Sequence, residues 1–267
     1  MICTAPPVTP YTLGPTWQKT EDGNWLLPER TLGWFVIGWI GTNLQLDGGP
    51  FPLTGEQMRL ILWIYAIDDR GRFIYRDIVL QRMKGWGKDP LAAIIAAVEF
   101  VGPCRFGGWR EDGTPIAVES KAAWVQISAV SEEQTKNTMS LMAALFTKAC
   151  IAKHGIDIGK QVIYAYSGAR RIEITSSNYR TMEGNRPTFV IRNETHHWLA
   201  TNDGLEVHKV IRRNLAKIPG GQARAMSITN AYSPGEGSVA QAQREAYLEM
   251  LAGRSEERRV GKECRYR

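Results

Sequence analysis

Three short stretches of this 267-residue chain hold residue types and spacings that can do chemistry. The first is Arg82-Met83-Lys84-Gly85-Trp86-Gly87-Lys88-Asp89. Its glycines let backbone N–H groups approach a ligand closely, and Arg82, Lys84 and Lys88 add positive charge, a combination suited to a polyphosphate. Set against the phosphate-loop pattern G-x-x-x-x-G-K-[ST], Gly87-Lys88 supply the central pair, Arg82 stands at the first glycine position and Asp89 replaces the hydroxyl residue. Lys88 would reach the terminal phosphates. Asp89 repels a triphosphate unless magnesium lies between them, and magnesium prefers carboxylate oxygens. The plainer reading is a basic turn whose Asp89 caps a helix. This stretch alone leaves both open.

The second stretch is an apolar run ending in Asn193-Glu194-Thr195-His196-His197. A carboxylate at such a strand end can polarise an attacking water, and in P-loop ATPases the residue before it holds magnesium. Here that residue is the amide Asn193, a poorer magnesium partner than a carboxylate. Asp89, on the opposite wall, is expected to restore the missing negative charge. Adjacent histidines on a strand end should point to opposite sides and lack the i, i+4 spacing of a zinc pair. Metal binding by them is not expected; one can orient Glu194 while the other packs. The third stretch is Thr229-Asn230 at the tip of a strand, either a polar sensor beside a terminal phosphate or a strand end with a turn. Upstream, Gln57 stands three residues after Thr54. That is a capping-box spacing, and an amide can equally donate to and accept from the edge of adenine.

These residues need elements to hold them. Residues 73–80 read as a strand, with Asp89 as helix cap, Pro90 in the first helical position and residues 91–100 as a helix apolar almost all round. Residues 1–50, rich in Pro, Gly and Trp, read as an irregular extension, and 102–114 as a loop. Residues 122–130 make a strand, and Ser131 with Gln134 open a helix carrying Met139, Met142, Leu145 and Phe146. Residues 162–166 and 171–175 pair as a hairpin. An amphipathic helix with a basic side spans 205–217 and stops at Pro219-Gly220-Gly221. A strand at 225–231 precedes a helix over 238–251, capped by Ser238 with Gln241.

A hydrophobic share of 43% with 22% charged residues suits one large globular domain or two small ones. The four cysteines have no C-x-x-C spacing, which argues against zinc and a disulfide framework and suggests a reducing compartment. No run of about 18 apolar residues is present, and the N-terminus lacks the form of a signal peptide. The tail RSEERRVGKECRYR supplies half of the net charge of +6. It resembles the translation of a common sequencing adapter, so residues 254–267 are expected to be non-native and the natural chain to continue.

In their order along the chain, Gln57, the Arg82–Asp89 loop, the Glu194 strand and Ser227-Ile228-Thr229-Asn230 resemble the motifs of a large terminase subunit of tailed bacteriophages. The likeness is greatest to those of phages infecting actinobacteria, where QRMKGWGKDP and NETHHW look like family variants. The resemblance implies an α/β P-loop NTPase of the additional-strand catalytic-glutamate type over residues 51–253, with a mostly parallel sheet sandwiched by helices. It implies ATP and Mg2+ as cofactors, with Gln57 reading adenine. Arg82, Lys84, Gly85, Trp86, Gly87, Lys88 and Asp89 would form the nucleotide loop, in which Lys88 and Arg82 also serve catalysis. Glu194 would be the hydrolytic carboxylate, Asp89 and Asn193 the metal partners, and Thr229 and Asn230 the coupling motif. Implied partners are double-stranded DNA, a portal protein, a small terminase subunit and further copies in a ring, in the host bacterial cytoplasm and not at a membrane. Nothing in the sequence matches the nuclease domain that usually follows. Two other readings are a nucleotide-binding module that has lost hydrolysis and a helicase-like ATPase, which would normally bring a second RecA-like repeat.

Overall fold

The computed structural model describes residues 14–175, 179–218, 220 and 222–252. Ahead of the main sheet come α1 (Gly33–Asn43), a hairpin of β1 (Gln45–Leu46) and β2 (Gly49–Pro50), and α2 (Gly55–Ile64). Strand β3 (Asp77–Gln81) leads through the glycine loop into α3 (Lys88–Val101). A second hairpin, β4 (Arg105–Trp109) with β5 (Pro115–Val118), precedes β6 (Trp124–Ser128), α4 (Glu132–Leu145) and α5 (Lys148–His154). There follow β7 (Asp157–Ile158), β8 (Val162–Ala165), β9 (Arg170–Thr175), the short α6 (Tyr179–Met182), β10 (Phe189–Asn193), α7 (Gly204–Ala216), β11 (Arg224–Thr229) and α8 (Val239–Leu251).

The fold is mixed α/β around a seven-stranded sheet of order β3-β11-β10-β6-β9-β8-β7. Strands β3, β11, β10, β6 and β9 run parallel; at one edge β8 runs antiparallel to β9, and β7 antiparallel to β8. Pleat alternation sends successive side chains to opposite faces, and that builds two cores. Phe189 and Ile191 of β10, with Met226 and Ile228 of β11, join α1, α2, α3 and α4 on one face. Val190 and Ala225 join Val207, Val210 and Ile211 of α7 on the other. Helix α3 lies beneath the middle of the sheet with every residue from Leu91 to Val101 buried, as a helix apolar on almost every side requires, Glu99 being its one charged exception. At the amino ends of the strands, Arg224 of β11 ion-pairs with Glu99 of α3, and Arg105 of β4 binds the same carboxylate at 2.7 Å. Arg224 and Glu99 are fully buried. Burial pushes the Glu99 carboxyl up, but Arg105 and Arg224 overcome it and hold it below its ordinary range. No helix among the described residues is long and apolar enough to cross a membrane.

Several expectations are corrected. The first fifty residues are not all irregular: α1 packs Val36 and Ile40 into the core. The 102–114 loop contains β4, paired with β5 through a bulge at Phe106/Gly108. The strand expected over 73–80 pairs in the sheet only from Asp77; Phe73 instead forms an isolated bridge with Ile67. Helix α3 starts two residues early, with Gly87 as its cap in the left-handed region (φ 93°), so Asp89 and Pro90 fall inside the first turn. Proline is tolerated there because first-turn N–H groups have no helical partner anyway. Ser131 does stand at the N-cap of α4, but its side chain makes no capping hydrogen bond; the 254–267 tail lies outside the described residues.

Candidate functional site

Topology brings distant stretches to one edge. In the parallel register, Gln81 of β3 lies abreast of Thr229 of β11, Asn193 of β10 pairs with Ile228, and Arg192 with Ser128 of β6. The carboxyl ends of four strands therefore emerge side by side, the edge where open α/β sheets hold ligands. Although last in sequence, β11 sits between β3 and β10. Asn230 is thus flanked by the glycine loop on one side and by Glu194 on the other.

Lys88 is only 4% exposed, and its ammonium donates to the Met83 carbonyl (3.1 Å) and to Asn230 Oδ1 (2.7 Å). Asn230 Nδ2 in turn donates to Glu194 Oε2 at 3.0 Å. Lysine, amide and carboxylate form one connected line. The first bond of α3, Leu91 N to the Gly87 carbonyl (3.1 Å), leaves the N–H groups of Lys88 and Asp89 outside the helical ladder, where they favour an anion. Gly85 and Gly87 both take positive φ (85° and 93°), a conformation that costs glycine nothing.

Glu194 itself sits at φ 55°, left-handed and unusual for a residue with a side chain. Its neighbours hold it there. His197 N donates to the Glu194 carbonyl (2.9 Å), His196 N to Thr229 Oγ1 (3.1 Å), and the indole of fully buried Trp198 to the Asn193 carbonyl (2.8 Å). Gly204, opening α7, presses against the Trp198 backbone: a Cβ there would lie 2.5 Å from Trp198 Cα.

Partial burial pushes the Glu194 carboxyl above its ordinary range; Lys88 pulls it down, Asp89 pushes it further up, and His197 and Lys84 pull it down. Those four charges all act on the same carboxylate. Burial, with help from His197 and Lys88, pulls His196 down to about 4, so its ring is neutral at neutral pH. His196 Nε2 lies 3.2 Å from Glu194 Oε2, and its Nδ1 lies 3.1 Å from Thr229 Oγ1. The positive φ at Glu194 turns the chain into a 3-10 turn at Thr195–His197. Strand alternation ends at that turn, and the two histidines do not point apart as expected. Their ring centroids are 4.0 Å apart.

The remaining residues are placed as follows. Gln57 uses Oε1 to accept from Thr54 N (2.9 Å), completing a reciprocal capping box at α2, while its Nε2 would lie 3.8 Å from a Cβ on Gly87. The Gln57 cap and its place beside the glycine loop therefore coexist. Asn193 is buried, with Nδ2 donating to Thr138 Oγ1 (3.4 Å). Lys84 is exposed on the loop. Arg82 extends the ladder through its N–H to the Thr229 carbonyl (3.1 Å), but its guanidinium is held by Glu56 Oε1 of α2 at 2.6 Å. The Trp86 indole donates to the other Glu56 oxygen at 3.4 Å. Glu56 is the residue sequence reasoning missed: an acid in a first helical turn reads as a partner for the helix dipole and hides any other role.

No protein-family model matches the chain. It is 40% identical over 277 aligned positions to the "Gene 13 protein" of Mycobacterium phage L5, and 39% identical over 273 to that of Mycobacterium phage D29. The alignments take in 93% and 91% of this chain but 46% and 45% of those proteins, so the chain spans about half the length of the curated relatives it matches. Among solved structures, the HK97 bacteriophage large terminase superposes with a TM-score of 0.61 at 16% identity, over 84% of this chain and 43% of that one. The chain is thus similar in sequence to part of two mycobacteriophage proteins and similar in fold to a phage large terminase.

Proposed function

We propose that this chain is the ATP-hydrolysing motor part of a phage large terminase, which drives double-stranded DNA into a procapsid. The observation that carries the reading is the line from Lys88 through Asn230 to Glu194 at the carboxyl edge of a mostly parallel sheet. The likeness in fold to the HK97 large terminase supports it. Lys88 and the N-terminus of α3 bind the terminal phosphates, and Glu194 orients and polarises the attacking water. His196, with Nε2 3.2 Å from Glu194 Oε2 and its backbone N–H on Thr229 Oγ1, positions that carboxylate. Thr229 and Asn230, on the strand between the two walls, couple the hydrolytic acid to the phosphate side. Gln57, beside Gly87, faces the base.

The donor set fits magnesium, which takes one or two carboxylates and completes its shell with phosphate oxygens and water. Asp89, with Asn193, would hold it. When bound, it neutralises phosphate charge. By the same reading, the working partners are double-stranded DNA, a portal protein, a small terminase subunit and further copies of this chain, in the host cytoplasm.

Asn193, where hydrolytic sites of this kind carry an acid, favours a second reading: a module that binds nucleotide without turnover. Phosphate release from ATP and Mg2+ separates the two. Release by the wild-type chain that disappears in Lys88→Ala and in Glu194→Ala supports the motor. Tight nucleotide binding with no release supports the inert module.

A further inference from the structure

Glu194, His196 and His197 offer one carboxylate oxygen and two imidazole nitrogens that all lie within 4.8 Å of one another. The separation of Glu194 Oε2 and His196 Nε2, 3.2 Å, already matches the spacing of about 3.3 Å between ligands bound to a tetrahedral ion at about 2.0 Å. His197 is exposed, and its ring stacks at 39° to that of His196, so a small rotation brings its nitrogen to the same point. The outer partner is also in place. His196 Nδ1 lies 3.1 Å from Thr229 Oγ1, whose own hydroxyl donates to the Asn230 carbonyl (3.0 Å), and the same nitrogen accepts from the Asn230 backbone N–H at 3.4 Å. An ion between Nε2 and Glu194 takes the place of the proton there, the ring proton moving to Nδ1 and Thr229 Oγ1, the outer-shell support that ligating histidines use.

We propose that Glu194, His196 and His197 form a binding site for a zinc-class transition-metal ion, separate from any magnesium carried by nucleotide. Two imidazoles and one carboxylate suit zinc, cobalt or nickel and not the oxygen-seeking magnesium. Three protein ligands leave a coordination position open. An ion held there takes the carboxylate of Glu194 out of service. That inhibitory consequence rests on the motor reading above; the binding does not.

The test is a titration of the tag-free chain with Co2+ in the absence of nucleotide. One equivalent should develop visible d–d absorption, be displaced by Zn2+, and persist in millimolar Mg2+. His197→Ala, an exposed change, should weaken Co2+ binding at least tenfold, and Glu194→Gln likewise. His197→Cys, which keeps a ligating atom, should retain binding and add a near-ultraviolet thiolate-to-metal band. Absence of the visible band, or a His197→Ala protein that binds as the wild type does, overturns the site. For the consequence, Zn2+ should inhibit phosphate release by the wild type at concentrations at least tenfold lower than it does for His197→Ala. A chain that releases no phosphate at all removes the motor reading and leaves the cobalt result to decide the site.

Discussion

Lys88 Nζ lies 2.7 Å from Asn230 Oδ1, joining residues 142 positions apart, and the same amide donates to Glu194 at 3.0 Å. One side chain thus bridges the ammonium at the start of α3 and the carboxylate at the end of β10. In Asn230→Ala both hydrogen bonds are lost while both charges remain. Steady-state kinetics should show ATP turnover reduced about 10- to 100-fold, the scale of small misplacements, with nucleotide affinity within about threefold of wild type. An unchanged turnover number would show that the amide positions nothing.

Asp89 and Asn193 are expected to act as a matched exchange of charge across the site. Asp89→Ser should raise the Mg2+ concentration needed for half-maximal nucleotide binding, and Asn193→Asp should lower it. In the double variant the effects should couple by about 1 kcal/mol, roughly fivefold from independent behaviour. Simple additivity would sink the exchange.

Arg82 is tied to Glu56 at 2.6 Å with both side chains about a quarter exposed (27% and 26%). To reach a phosphate it has to leave that carboxylate. Glu56→Gln should therefore tighten ADP binding about three- to tenfold, and Arg82→Ala should weaken it, as followed by isothermal titration calorimetry. Stability should change by less than about 1 kcal/mol, because a partly exposed pair contributes little. Equal affinity in Glu56→Gln and wild type would show that Arg82 takes no part.

Removing Arg224 leaves the fully buried Glu99 with Arg105 as its remaining cationic partner. Arg224→Ala should cost about 3–5 kcal/mol in urea unfolding, and the Arg224→Met/Glu99→Gln double variant clearly less. A cost under about 1 kcal/mol in the single variant would contradict the burial of this pair.

His208 on α7 accepts from Arg192 at 3.1 Å, and burial, Arg192 and Arg212 pull its pKa from 6.5 to about 3. The sign follows from linkage. Between these values the unfolded chain binds a proton that the folded chain refuses, so this part of the stability is complete above the unfolded value. It is lost as pH falls below 6.5, at no more than about 1.4 kcal/mol per pH unit. Chemical denaturation from pH 7 to pH 4 should show a shallower decline in His208→Gln than in wild type. Parallel curves would place the acid sensitivity elsewhere.

Much of the scaffold was legible because its signals were local and strong. The apolar run Leu91–Val98 of α3 read as a buried helix, and the spacing of Thr54 and Gln57 gave the start of α2 with its reciprocal cap. The hairpin of β8 and β9 announced itself through the Ser167-Gly168 turn. Helix α1 was hidden because Gly33, Gly38 and Gly41 lower helix propensity, and only its packing on α2 and the core overrides that. In β4 the pair Gly107-Gly108 broke the strand pattern that pairing with β5 restores. At the site, residue types pointed to Lys88, Asn230 and Glu194, but no local pattern reveals that β11 inserts between β3 and β10 and so makes Asn230 the link. The paired histidines were misjudged for a related reason: a single left-handed residue, Glu194, changed the geometry of all that follows it.

Trp198 holds the β10 end through its indole, and its carbonyl receives the first N–H of α8 from Val239 at 3.0 Å. Its backbone has room only because position 204 bears no side chain. A single methyl group there would displace the indole, and with it the bend at Glu194, without touching any residue of the glycine loop. Drift in this region is limited by main-chain clearance, so residues that never meet a ligand are as unforgiving as those that do.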